Sequence, residues 1–212
     1  AIAPGVLAEL CADRGLDYVH YSTDYVFDGE FTVPYTENDQ PSPIQEYGAS
    51  KLAGERIVQN TNPNALILRL SFVYGERGDT GGIAGFPRWV AETLQDGNDI
   101  PLFRDQYITP SRAGQVANTT LALLERELNG LFHIASPLCI TPYQFGELLC
   151  GLVDEDEGLI RSASVSDLDR AARRPHYSCL DVTKVEQLLG RSQPTLVEDL
   201  EAISRSFSDY NS

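Results

Sequence analysis

The chain has 212 residues, 42% of them hydrophobic, enough to bury the core of one substantial domain. Its 31 acidic residues outnumber 16 basic ones for a net charge of −15, which leaves no basic stripe for a nucleic acid. No apolar run approaches the ~20 residues that span a bilayer, and no secretory signal is visible.

In chain order, Pro4 to Arg14 places Val6, Leu7, Leu10 and Cys11 at helical spacing, and Gly15 can end that helix. Asp17 to Ser22 is a short β-rich run. A polar, proline-rich loop covers Asp28 to Gln45, and Tyr47 to Gln59 reads as a helix. Ala65 to Phe72 is almost wholly apolar, as in a strand buried on both faces. Helix, strand, helix, strand is the order of a parallel sheet with covering helices. A glycine-rich loop follows from Gly75 to Gly85, then a helix over Phe86 to Gln95 and a strand over Ile100 to Phe103. Ser111 is the expected cap of a helix reaching Leu128; Leu131 to Ala135 is a strand, and Thr141 caps a helix to Val153. The acidic run Asp154 to Glu157 reads as a solvated loop. Thr183 to Leu189 and Leu196 to Phe207 read as closing helices.

Lysine occurs only at Lys51 and Lys184. Abundant carboxylates with so little lysine suit a high-salt cytoplasm, where ions screen the self-repulsion. Cys11, Cys139, Cys150 and Cys179 are scattered, with no pair at metal-ligand spacing, so all four are expected as small buried thiols in a reducing compartment.

Tyr47 and Lys51 form a Y-x-x-x-K pair on one helix face. A phenol titrates near ~10, and an adjacent ammonium favours the phenolate, drawing the group toward acid–base work. The same spacing also arises in packed helices by chance, but this chain almost excludes lysine and places one here. Ser22, Thr23 and Asp24 follow a strand expected to be parallel, at the end where open α/β sheets bind ligands. They equally suit a simple turn.

Longer motifs narrow the reading. The runs STDYVFDG (Ser22 to Gly29), PYTEND (Pro34 to Asp39) and PSPIQEYGASKLAGE (Pro41 to Glu55), then LRLSFVYG (Leu68 to Gly75) and RRPHYSCLDVTK (Arg173 to Lys184), closely resemble the dTDP-4-dehydrorhamnose reductase family of extended short-chain dehydrogenase/reductases. The segment Asp105 to Pro110 and the strand Gly130 to Ala135 extend the match over almost the whole chain.

That resemblance implies an α/β fold: a Rossmann-like parallel sheet with helices on both faces, and a small C-terminal substrate lobe. Residues 1–75 would be the second half of the NAD(P)-binding domain, and residues 76–212 mainly the substrate lobe, with 111–135 returning to the sheet. Thr23, Tyr47 and Lys51 match the catalytic set. Tyr21, Tyr47 and Lys51 would meet NADPH or NADH, and Thr23, Asp24 and Phe72 a nucleotide-sugar substrate. Phe72 stands where many relatives carry tryptophan, so an indole N–H is lost. Arg104, Gln106 and Tyr107 fall in a segment that shapes the pocket. The implied activity is NAD(P)H-dependent reduction of a 4-keto-6-deoxy nucleotide sugar in the cytoplasm, within deoxysugar synthesis. Neither membrane nor nucleic acid is an expected partner, and a homodimer is left open.

The family's glycine-rich pyrophosphate turn is expected roughly 70–80 residues ahead of the S-T-D run. Only 21 residues precede Ser22, so the first β-α units are expected to be missing and these residues alone to be inactive. Gly81, Gly82 and Gly85 come after the catalytic residues and read as a loop. Two alternatives are a nucleotide-sugar epimerase or dehydratase, and a non-catalytic subunit resembling the regulatory subunit of methionine adenosyltransferase. STDYVFDG and RRPHYSCLD favour the reductase.

Overall fold

The computed structural model describes residues 2–76, 83–153, 156–167 and 172–208. Helix α1 (Ile2–Asp13) is followed by β1 (Val19–Thr23), α2 (Glu46–Thr61) and β2 (Leu66–Leu70). Then come β3 (Val73–Glu76), β4 (Ile83–Ala84), α3 (Phe86–Gln95), β5 (Ile100–Phe103), β6 (Ser111–Arg112), α4 (Ala113–Glu125) and β7 (Gly130–Ile134). The chain closes with α5 (Pro142–Val153), β8 (Ile160–Ala163), α6 (Thr183–Leu189) and α7 (Leu196–Ser208).

Three of these strands form a parallel sheet in the order β1-β2-β7. The register pairs Thr23 with Leu70 and Leu70 with Ile134, so three strand ends stand level at one rim. Leu66, Leu68, Phe132 and Ile134 pack on one face with Val116 and Leu123 of α4 and Val185 and Leu189 of α6. On the other face Ala65 and Ile67 meet Ala8 of α1 and Val58 of α2. Both faces are thus covered, which is why the strand sequences carry no polar alternation. The fold is the expected Rossmann-like α/β arrangement.

A second core forms around the parallel pair β5-β8. Ile100, Leu102 and Ile160 pack there with Val90 and Leu94 of α3, Phe145 and Leu149 of α5, and Leu196 and Leu200 of α7. Each such side chain removed from water contributes about 1.5–3 kcal/mol, offset by the entropy of ordering it. A small sheet, β4-β3-β6, lies beside these two cores.

The structure departs from the sequence reading in several places. The apolar run Ala65 to Phe72 is not one strand: β2 ends at Leu70, and Phe72 adopts φ 45°, turning the chain out of the parallel sheet into β3. Ser111 is not a helix cap. It lies in β6, where its hydroxyl accepts from Ser71 N (3.4 Å) and donates to the Ile134 carbonyl (3.2 Å), while Arg112 precedes α4 without a capping side chain. Thr141 does cap α5, accepting from Gln144 N at 3.2 Å.

The apolar stripe of α1 faces outward, with Val6, Leu7 and Leu10 between 42% and 52% exposed. Its inner face is instead Gly5 and Ala8, because α2 approaches closely: a Cβ at Gly5 would sit 2.3 Å from Ile57 Cγ2. The strand β8 was not expected.

The four cysteines are not all thiols. Cys139 and Cys179 form a disulfide, with Cα atoms 5.6 Å apart across 40 residues. Residues 108 and 109 bring them together: Ile108 N bonds to the Ile140 carbonyl (2.8 Å), and Leu180 N to Thr109 Oγ1 (3.1 Å). Cys11 is half-buried and Cys150 buried. Of the glycine-rich segment, residues 77–82, including Gly81 and Gly82, lie outside the described residues. Its flanks β3 and β4 pair antiparallel. Asp154 and Glu155 also lie outside them, and Asp156 caps a short 3-10 turn over Glu157–Leu159.

Candidate active site

The level strand ends of β1 and β2 form the floor of a cleft lined by Tyr21, Thr23, Asp24, Tyr47, Lys51 and Phe72, together with Ser22, Tyr25, Val73 and Ile108. Seven residues singled out from sequence, these first six and Ser22, therefore line one concavity. Helix α2 supplies Tyr47 and Lys51 one turn apart, starting where the Gln45 side chain accepts from Gly48 N. Gly48 lets the helix approach: a Cβ there would sit 2.0 Å from the Tyr25 carbonyl oxygen.

Tyr47 is 53% exposed, and its ring meets Tyr25 edge-on at 6.3 Å. Lys51 reaches across to donate to the Tyr21 carbonyl at 2.5 Å. Burial pushes the Lys51 ammonium below its ordinary pKa, and the charge of Glu55 opposes that. Tyr21 bonds to Thr120 Oγ1 at 3.1 Å, which fixes its ring between β1 and α4.

Thr23 is buried at the strand tip, where its hydroxyl accepts from Tyr25 N (3.2 Å) and donates to Asp24 Oδ1 (3.0 Å). Asp24 is 4% exposed, and its other oxygen accepts from Ser71 at 2.8 Å. Burial raises the Asp24 pKa, against the hydroxyls of Ser178, Ser71 and Thr23, which favour the carboxylate. Asp24 thus meets the cleft with both oxygens already engaged. Phe72 packs against Phe86 at 5.1 Å and Phe145 at 6.2 Å, joining the cleft wall to the second core.

The segment after β5 forms a neighbouring surface. Arg104 lies over the Tyr143 ring at 3.6 Å, and Tyr107 packs on Tyr177 at 5.6 Å. Both Arg104 and Tyr107 line an adjoining cleft, while Gln106 is buried. Ser71, Ser178 and Arg69 were not found from sequence. Their signal is weak, since hydroxyls and an arginine inside apolar strands reveal partners only once β1 and β2 are paired. Among the described residues no group of acidic, histidine or cysteine side chains could hold a metal ion.

The family model described as "RmlD substrate binding domain" matches residues 1–208. The chain belongs to that family. It is 59% identical over 210 residues to the "Probable low-salt glycan biosynthesis reductase Agl14" of Haloferax volcanii, covering 99% of this chain and 70% of that protein. A dTDP-4-dehydrorhamnose reductase of Sinorhizobium fredii is 33% identical over 204 residues, covering 91% of this chain and 67% of the relative. The solved dTDP-4-dehydrorhamnose reductase of Bacillus anthracis, in complex with NADP, superposes with a TM-score of 0.86 at 27% identity, over 99% of this chain and 71% of that one.

The cleft's donors fit the nicotinamide end of such a cofactor: an ammonium, a phenol and an aromatic ring face one concavity at the sheet rim. Gly85, with φ 82°, starts α3 from the antiparallel β4 and not from the parallel sheet.

Proposed function

We propose that this chain carries the catalytic centre of an NAD(P)H-dependent reductase acting on a 4-keto-6-deoxy nucleotide sugar. The observation that supports this most is the meeting of Thr23, Tyr47 and Lys51 in one cleft at the rim of a parallel sheet, in a chain of this family. The named relatives are reductases of such sugars or of glycan synthesis.

A bound nicotinamide supplies the hydride. Tyr47 gives its proton to the oxygen that gains charge at the carbon being reduced. Lys51 stands one turn along, where its ammonium favours the phenolate left behind and can hold ribose hydroxyls. Thr23 turns its hydroxyl hydrogen from Asp24 to the ketone oxygen as substrate enters, and Asp24 keeps that rotor at the strand tip. Phe72 and Ile108 offer apolar surface to the sugar ring, and Tyr21 lines the cofactor side.

No helix among the described residues is long and apolar enough to cross a membrane. We place the reaction in the cytoplasm, where dissolved nucleotide sugar and reduced cofactor meet. The reductants of that compartment act against the Cys139–Cys179 bond.

The test is oxidation of NADPH by the protein with a dTDP-4-keto-6-deoxy sugar. Tyr47→Phe is expected to lower kcat by about 10² or more, the usual worth of general acid–base help. Unchanged turnover removes Tyr47 from the chemistry. Isomerised sugar without cofactor consumption would indicate an epimerase, and neither product a binding subunit.

A further inference from the structure

Glu55 is only 5% exposed, and the chemistry above gives it no part. A carboxylate leaves water only where partners replace its hydration. Arg69 bonds it twice, Nε to Oε1 at 3.0 Å and Nη2 to Oε2 at 2.7 Å, and the Ser22 hydroxyl donates to Oε1. Arg69 is itself fixed over the Phe27 ring at 5.1 Å. One buried pair therefore joins α2, β2 and β1 immediately behind Thr23.

The spacing gives the pair a direction. Lys51 and Glu55 share a helix face. They hold consecutive residues of β1, Lys51 through the Tyr21 carbonyl and Glu55 through the Ser22 hydroxyl. Apolar side chains of similar volume often serve a fold as well as a buried ion pair, so stability alone gives no reason for charges here.

We propose that Glu55, clamped by Arg69, is a positioning residue for the reductase chemistry, holding the tip of β1 in register and keeping a negative charge one helical turn from Lys51. Its catalytic meaning rests on the reductase reading above. Among the described residues, the titratable groups that face Lys51 or share its cleft are Tyr47 and Glu55 of α2, His20 and Tyr21 of β1, and Asp24 at the strand tip. Burial first, and Lys51 next, push His20 below its ordinary value. Asp24 is engaged by three hydroxyls, which leaves Glu55 as the counter-charge that opposes the desolvation of Lys51.

The experiment follows lysine labelled with ¹³C at Cε by NMR through a pH titration, the Lys51 signal being assigned by its loss in Lys51→Arg. Glu55→Gln is expected to lower the Lys51 midpoint by about one pH unit or more, with Lys184 unmoved as the internal control. A Lys51 midpoint that stays in place overturns the proposal. Should Glu55→Gln not fold, the paired replacement Glu55→Leu with Arg69→Leu keeps an apolar core, and the same two outcomes apply to it. In the active enzyme the alkaline limb of kcat/KM should move with the Lys51 midpoint. Because the NMR signal needs no turnover, a protein that reduces no sugar unseats the reductase reading and leaves this test standing.

Discussion

His133 is fully buried in β7, with Nδ1 3.1 Å from the Tyr35 carbonyl, so the neutral Nδ1–H tautomer fits. Burial first, and the charge of Arg69 next, push its pKa down to about 3 from an ordinary 6.5. Between those two values the unfolded chain binds a proton that the folded one refuses, so this residue makes folding stability fall as pH drops through the window. Buried Asp24 and half-buried Glu37, with raised pKa values, act in the opposite sense below neutrality. The informative measurement is therefore a difference: urea midpoints of wild type and His133→Gln, taken from pH 7 to pH 4. The variant should lose less stability on acidification, and parallel curves would show that His133 does not govern the window. Such a role is invisible in sequence, where His133 is one apolar-strand residue among others. The Tyr47–Lys51 pair was legible because its spacing carries its geometry.

At the scale of elements, the glycines of α2 and α5 make opposite predictions. A Cβ at Gly48 would lie 2.0 Å from a backbone oxygen, and neither the Tyr25 peptide nor α2 can yield without moving Tyr47. Gly48→Ala should cost about 1–3 kcal/mol and lower turnover as well. Gly151 is an exposed helical residue with nothing within 4 Å of a built Cβ, and Gly151→Ala should stabilise by up to about 1 kcal/mol. Thermal melts of the two variants check both signs. The disulfide belongs to this scale too. Closing a loop of 40 residues is worth about 4 kcal/mol in the chain-entropy model. Cys139→Ser with Cys179→Ser should cost about 2–4 kcal/mol in a denaturant titration, and thiol counting on the unreduced, unfolded chain should find two groups and not four. The long elements were readable because periodicity and apolar runs declare them. The missed features depend on pairings remote in sequence: two-residue β6, β8 beside β5, and cysteines joined only through residues 108–109. Phe72 misled the reading for a local reason, since a residue of β-favouring type sits at positive φ.

For the molecule as a whole, the charge of −15 is the largest physical fact. At low ionic strength the carboxylates repel across a Debye length that reaches ~30 Å at 0.01 M salt and shrinks to ~3 Å at 1 M. The melting temperature should rise between dilute buffer and molar KCl, and a flat response would remove the salt-adapted reading. Within that acidic shell both lysines of the chain are spent on strand backbone, Lys51 on Tyr21 and Lys184 on the Leu131 carbonyl at 2.6 Å. Beside Lys184, Glu37 accepts from His133 N at 2.9 Å. Together an ammonium and a carboxylate occupy neighbouring backbone groups along the outer side of β7. A stray strand approaching that rim must evict one charge of each sign before it can form a ladder. Acetylating Lys184 would remove the positive half of this guard and leave at most one uncharged N–H on the Leu131 carbonyl, a weaker barrier to edge-to-edge assembly.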